Sequence, residues 1–117
     1  MLFYKLTTRY KKRLADTISP VSLYLKLRDH YANTFMLESS DYHGHDNSFS
    51  YICFDPVARF ELYQGNAKMS FPDGAKIEMK LDKEINASFM LREFIHSFSV
   101  DTLDLPFMYN GLFGYHS

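Results

Sequence analysis

Ala58-Arg59-Phe60-Glu61-Leu62, Ala67-Lys68-Met69-Ser70-Phe71 and Ala75-Lys76-Ile77-Glu78-Met79-Lys80-Leu81 follow one another along the chain, separated by Tyr63-Gln64-Gly65-Asn66 and by Pro72-Asp73-Gly74. In each run the apolar residues fall at every second position, the period that places them together on one side of a β-strand. The spacers hold residues that favour tight turns, Gln64-Gly65-Asn66 in the first and Pro72-Asp73-Gly74 in the second. Short strands joined in this way, dry on one side and charged on the other, form an antiparallel meander with one wet face. The dry face needs a cover, and one follows directly. Ala87, Met90, Leu91, Phe94, Ile95 and Phe98 recur at the spacing of an amphipathic helix that starts near Asn86. A meander with a helix packed against it predicts the α+β class: an antiparallel sheet carrying two or more helices.

Upstream, Thr34-Phe35-Met36-Leu37 and Ser50-Tyr51-Ile52-Cys53-Phe54 are further apolar runs that extend the meander, the second halted by Asp55-Pro56. Between them, Ser40 to Asn47 is polar and rich in turn formers, and reads as a loop. Ser19-Pro20 combines a capping hydroxyl with a proline at the first helical position. The residues that follow, Val21 to Arg28, alternate with period two, yet Leu23, Tyr24, Leu27 and Tyr31 also share a helical stripe; the cap decides for a helix. Residues 2–9 read as a strand that runs into the basic turn Arg9-Tyr10-Lys11-Lys12-Arg13. After a connector from Asp101 to Pro106, Phe107 to Tyr115 reads as a final apolar strand punctuated by glycines.

At 117 residues the chain has room for one compact core, read here as a single region spanning 1–117. With 46% apolar residues, 11 phenylalanines and 9 tyrosines, it is too hydrophobic to be disordered. No apolar run has the ~20 residues that span a bilayer, and the first residues lack the pattern of a signal segment, so a cytoplasmic protein without a membrane partner is expected. Its single cysteine, Cys53, fits a reducing compartment. The net charge of −1 is split: residues 1–30 carry seven cationic side chains against Asp16 and Asp29, and the rest of the chain is acidic. Nucleic-acid domains are far more basic overall, so the Arg9–Arg13 cluster reads as a solvated turn and no nucleic-acid partner is expected.

The chain has no phosphate-binding glycine loop, nucleophile elbow or zinc-spaced Cys/His pattern. Asp41, His43, His45 and Asp46 have the donor types of a divalent-metal site, but a loop tip rarely locks ligands, so they read as solvated polar residues and no metal is assigned. His96 reads as a surface residue of the second helix, and Cys53 as a small core residue. Glu38-Ser39-Ser40 is distinctive because it stands where an apolar strand meets a loop. A carboxylate and two hydroxyls in that place suit the ammonium and carboxylate groups of an amino acid, with aromatics closing over its side chain. The commoner arrangement is a turn whose serines bond their own backbone.

Met36-Leu37-Glu38-Ser39-Ser40 resembles the Leu-Leu-Glu-Ser motif near the start of anthranilate synthase component I, a family of chorismate-utilising enzymes. Asn47 to Pro56 resembles that family's next strand, commonly Gly-Arg-Tyr-Ser-Phe-Ile-Gly followed by Asp-Pro, with Ser50, Ile52, Asp55 and Pro56 matching directly. Pro106-Phe107 and Asn110 to Tyr115 resemble its Phe-x-Gly-Gly-Leu-x-Gly-Tyr element. Two departures stand out: Met36 replaces the first leucine, and Ser48 replaces a frequent arginine or lysine.

The resemblance implies the N-terminal regulatory and scaffold region of a longer lyase of tryptophan biosynthesis, part of the larger chorismate-utilising fold. The parent would convert chorismate and an amino group from glutamine into anthranilate and pyruvate. It would use Mg2+, a glutamine amidotransferase component II as partner, and a C-terminal chorismate-binding portion that this chain lacks, leaving the chain inactive alone. Leu37, Glu38 and Ser39, with Ser50 on the neighbouring strand, would bind L-tryptophan as feedback inhibitor, Glu38 facing its ammonium group. Aminodeoxychorismate synthase component I of folate biosynthesis has a similar N-terminal region. A non-catalytic binding or structural module is the reading from a different class.

Overall fold

The computed structural model describes residues 2–38, 49–105 and 109–114. It is α+β. Among the described residues are seven strands and two helices, in the order β1 (Tyr4–Leu6), α1 (Pro20–His30), β2 (Phe35–Glu38), β3 (Ser50–Cys53), β4 (Arg59–Tyr63), β5 (Asn66–Ser70), β6 (Lys76–Lys80), α2 (Ala87–His96) and β7 (Phe98–Val100). The chain divides into two compact units, Met1–Tyr10 with Val57–Asn110 and Lys11–Pro56 with Gly111–Ser117.

The first unit is built on the expected meander, in the strand order β4-β5-β6 with both pairs antiparallel. The β4–β5 connection is Gln64-Gly65, and both have positive φ (49° and 76°), as the two central residues of a hairpin turn that matches strand twist must. The wider β5–β6 loop is closed by the Phe71 amide donating to the Ala75 carbonyl at 2.9 Å, with Gly74 at φ 88°. Register aligns Phe60, Met69 and Ile77 across the dry face and Glu61, Lys68 and Glu78 across the wet one. Arg59 forms an ion pair with Glu61 on that wet face.

Helix α2 covers the dry face. Asn86 caps it, its side-chain oxygen accepting from the Phe89 amide at 2.9 Å. Met90 and Phe94 join Ala67, Met69 and Phe71 as the buried hydrophobic core. Phe94 is 1% exposed, and its ring lies 5.6 Å from Phe60, 5.6 Å from Phe71 and 5.2 Å from Phe98, within the range of favourable aromatic pairs. The helix ends at His96, two residues short of the predicted stripe, because Phe98 begins β7. β7 pairs in parallel with β1, Tyr4 opposite Phe98, so the unit also holds a small parallel sheet that the meander pattern did not announce.

The second unit contains α1 and the antiparallel hairpin β2–β3. Ser19 caps α1, Leu23 donates to its carbonyl at 3.0 Å, and proline opens the helix, as the sequence predicts. Tyr24 and Leu27 are half-buried, whereas Val21, Leu23 and Leu25 are exposed. Beyond the helix, the Tyr31 ring packs against Phe54 at 4.9 Å.

Two expectations are corrected. The meander does not run from Thr34 to Leu81 as one sheet: β2–β3 stands apart from β4–β6. Between them Asp55 takes a positive φ (51°) and Pro56 has no amide to give to a ladder, so pairing stops there. The predicted strand at Phe107–Tyr115 is also absent among its described residues, Tyr109–Gly114. There the polar side chains bond elsewhere: the Tyr109 hydroxyl accepts from the Leu103 amide and donates to the Asp101 carbonyl, and the Asn110 amide donates to the Thr8 hydroxyl at 2.9 Å.

Candidate functional site

The hairpin β2–β3 pairs Phe35 with Cys53, Met36 with Ile52, Leu37 with Tyr51 and Glu38 with Ser50. Side chains alternate between faces along each strand, so Glu38 and Ser50 share one face and Leu37 and Tyr51 share the other. Directly opposed residues hold their Cβ atoms ~4.5–5.5 Å apart, close enough for one small polar group to touch both. Three of the four sequence-predicted site residues therefore meet at the loop end of one hairpin: Glu38 and Ser50 side by side, Leu37 on the other face. The fourth, Ser39, lies outside the described residues, as do Ser40 and the Asp41–Asp46 donor set.

Glu38 and Ser50 are both exposed. Among the described residues neither side chain has a hydrogen-bond or ion-pair partner; the ion pair there is Arg59–Glu61, in the other unit. The hairpin sets a carboxylate beside a hydroxyl, neither with a partner among the described residues. A carboxylate accepts charge-assisted bonds from an ammonium group, and a hydroxyl can donate or accept. None of the hairpin's paired residues is a cation, so this end is suited to the positive group of a ligand more than to its negative one.

Tyr51 is a residue that motif reading did not single out. It is half-buried beneath the Glu38–Ser50 face, and the ring of Phe113 lies 6.1 Å from it with planes inclined by 35°. Alternation along Ser50–Cys53 places Tyr51 opposite Ser50's face, but nothing in the sequence announces a contact with a residue so distant in the chain.

The other candidates offer less. Burial raises the Cys53 thiol above its ordinary pKa, which keeps it protonated and unreactive near neutrality. His96 is an exposed last residue of α2. Among the described residues no three His, Cys, Asp or Glu side chains come together as metal ligands, and no helix is long and apolar enough to cross a membrane. Arg9 and Lys11–Arg13 are exposed and belong to no helix or strand. An open groove of about 230 Å³ runs along α2, lined by Leu2, Met69, Ile77, Ile85 and Met90, with Ser97 at its edge. The Ser97 hydroxyl already donates to the Glu93 carbonyl at 2.9 Å, so the groove is the uncovered margin of the core.

No family model, curated protein or solved structure matches the chain.

Proposed function

We propose that this chain is the N-terminal region of a chorismate-utilising enzyme of the anthranilate synthase component I type, and that its hairpin end forms part of a tryptophan feedback site. The observation that carries the reading is the register of β2 against β3. Glu38 and Ser50 come from separate motifs of the resemblance, and pairing sets them directly opposite each other, neither side chain having a partner among the described residues. In this reading the Glu38 carboxylate accepts the ligand's ammonium group. Ser39 and Ser50 supply hydroxyls, and Leu37 packs behind them with Tyr51. The remaining portion of the parent supplies the chorismate and Mg2+ sites, and an amidotransferase component II delivers ammonia from glutamine. No residue of this chain is assigned to the chemistry, so the chain contributes scaffold and half of a switch.

The test is the activity of the longer protein that carries this region. With chorismate, ammonia and Mg2+, it should form fluorescent anthranilate, and L-tryptophan should suppress the product. The 117-residue chain alone should form none. Ser39→Phe in the longer protein should raise the tryptophan needed for half-inhibition by tenfold or more, since a buried-ligand site that loses a polar partner and gains bulk loses roughly 1–3 kcal/mol. Anthranilate formed by the isolated chain would refute its inactivity. Aminodeoxychorismate as the product would move the region to the folate enzyme, and absence of any chorismate turnover would leave a binding or structural module.

A further inference from the structure

We propose that β6 is an interface between two copies of this chain, joined antiparallel edge to edge so that Glu78 of each copy faces a lysine of the other. This interface does not depend on the feedback site. β6 ends the sheet order β4-β5-β6, and among the described residues no strand pairs with its far side. In an antiparallel ladder, residues that exchange hydrogen bonds alternate with residues whose N–H and C=O point away from the partner strand. Two bonds fix that phase here: the Phe71 amide donates to the Ala75 carbonyl at 2.9 Å, and the Leu81 amide to the Gly65 carbonyl at 2.7 Å. Ile77 and Met79 therefore turn their backbone groups towards β5, and Lys76, Glu78 and Lys80 aim theirs outwards. An added strand can take them.

Charge selects a second copy as that strand. Lysine on an edge ordinarily repels another edge, and a pairing centred on Glu78 would set Glu78 against itself and Lys76 against Lys80. A shift by two residues, which centres the pair on Ile77 or on Met79, sets Glu78 against Lys76 or Lys80 instead, twice over by symmetry. The shift keeps the phase of the backbone bonds, because all three charged residues face outwards. The two-fold axis stands normal to the sheet, so both dry faces and both α2 helices lie on one side. That side is short of cover beside β6. The open groove of about 230 Å³ is lined there by Ile77 and Met79 with Ile85 and Phe89, and Met79 and Phe89 are 37% and 45% exposed. A second copy brings the same apolar residues to this margin and continues the sheet across it.

Sedimentation equilibrium of the 117-residue chain tests this, with far-UV circular dichroism to confirm that each variant is folded. An interface of one strand pair is small, so wild type should pass from monomer to dimer with a Kd of roughly 10–100 μM. Glu78→Lys makes the edge wholly basic and should weaken the dimer about tenfold or more; Lys76→Glu with Lys80→Glu makes it wholly acidic and should do the same. Mixed in equal amounts, the basic and acidic variants should form a one-to-one heterodimer. Glu78→Pro removes an N–H that points away from β5 and should abolish the dimer in a chain that stays folded. Wild type that stays monomeric at about 300 μM would overturn the interface and leave the edge to a strand of another protein. A dimer that survives both Glu78→Lys and Glu78→Pro, or a basic and acidic mixture that stays monomeric, would overturn it as well.

Discussion

Phe94 is the residue whose removal should do most damage. It is 1% exposed and touches three other rings, those of Phe60 on β4, Phe71 after β5 and Phe98 on β7. One side chain therefore joins helix, meander and parallel pair. Truncating a buried phenylalanine to alanine costs about 3–5 kcal/mol through lost transfer energy and the cavity left behind. A small core seldom supplies more than ~3–5 kcal/mol of net stability. The two quantities are equal within their spread, so Phe94→Ala should leave the first unit unfolded in buffer. Phe94→Leu keeps most of the volume but loses the ring pairs, a loss of about 1–2 kcal/mol. With a urea slope of about 1–3 kcal/mol/M, that moves the midpoint down by roughly 1 M. The chain has no tryptophan, so far-UV circular dichroism is the probe of choice, with tyrosine fluorescence beside it. A Phe94→Ala protein that unfolds at the wild-type midpoint would refute the assignment of Phe94 as the centre of the core.

Gly65→Ala tests the β4–β5 turn. A Cβ at Gly65 would meet nothing within 4 Å, so the cost comes from its positive φ of 76° alone, and should be about 1 kcal/mol by urea denaturation. Gln64→Asn, which suits the same region of backbone space better, should stabilise by a few tenths of a kcal/mol. The Tyr4–Asp73 bond, 2.9 Å long, should give the stability curve a slope at both ends of the pH scale. The Ala75 amide, and after it the Tyr4 hydroxyl, hold the Asp73 carboxyl below its ordinary pKa; its contribution is present above the ordinary carboxylate range and is lost as pH falls through the lowered value. Desolvation, and after it Asp73, raise the Tyr4 phenol; that contribution is present below the ordinary phenol range and is lost as pH rises through the raised value. Thermal midpoints measured across pH should flatten at the alkaline end in Tyr4→Phe and at the acid end in Asp73→Asn.

The meander and α2 are legible in the sequence because their signals are local. Alternation about Met69, a glycine at the second turn position and the spacing of Met90 and Phe94 are all contained within a few residues. What escapes is what depends on distant partners. Phe98 fits the helical stripe by its position, yet it leaves the helix because β1, at the far end of the chain, offers it a parallel ladder. Tyr109 to Gly114 has the composition of a strand, but Asn110 and Tyr109 find side-chain partners instead of a backbone edge. The candidate site divides along the same line. Glu38 and Ser50 are each visible as strand-end polar residues, while their opposition depends on a register that a loop hides and that only pairing reveals. Tyr51 had no signal at all, since its partner Phe113 lies in an irregular segment where no periodicity points.

The chemistry of the hairpin end bears on why a feedback ligand would act there as a switch. An amino acid presents one positive and one negative group, and the paired residues of β2 and β3 include a carboxylate and a hydroxyl but no cation. Where the anthranilate synthase motif that Asn47 to Pro56 resembles frequently has a basic residue, this chain has Ser48, which lies outside the described residues. On the proposed reading, the ligand's ammonium is satisfied by this chain, and donors for its carboxylate come largely from the portion that completes the pocket. A ligand divided in this way binds neither half well, because each half leaves one charged group without a partner. It binds well only where the two portions are arranged around it. The ligand thereby acquires the differential affinity that any population shift requires, and coupling of about 1–3 kcal/mol follows from one charge-assisted bond on each side. Glu38→Gln, which keeps the shape and removes the charge, should therefore weaken inhibition without altering uninhibited turnover; equal inhibition of both proteins would show that the ammonium group is held elsewhere.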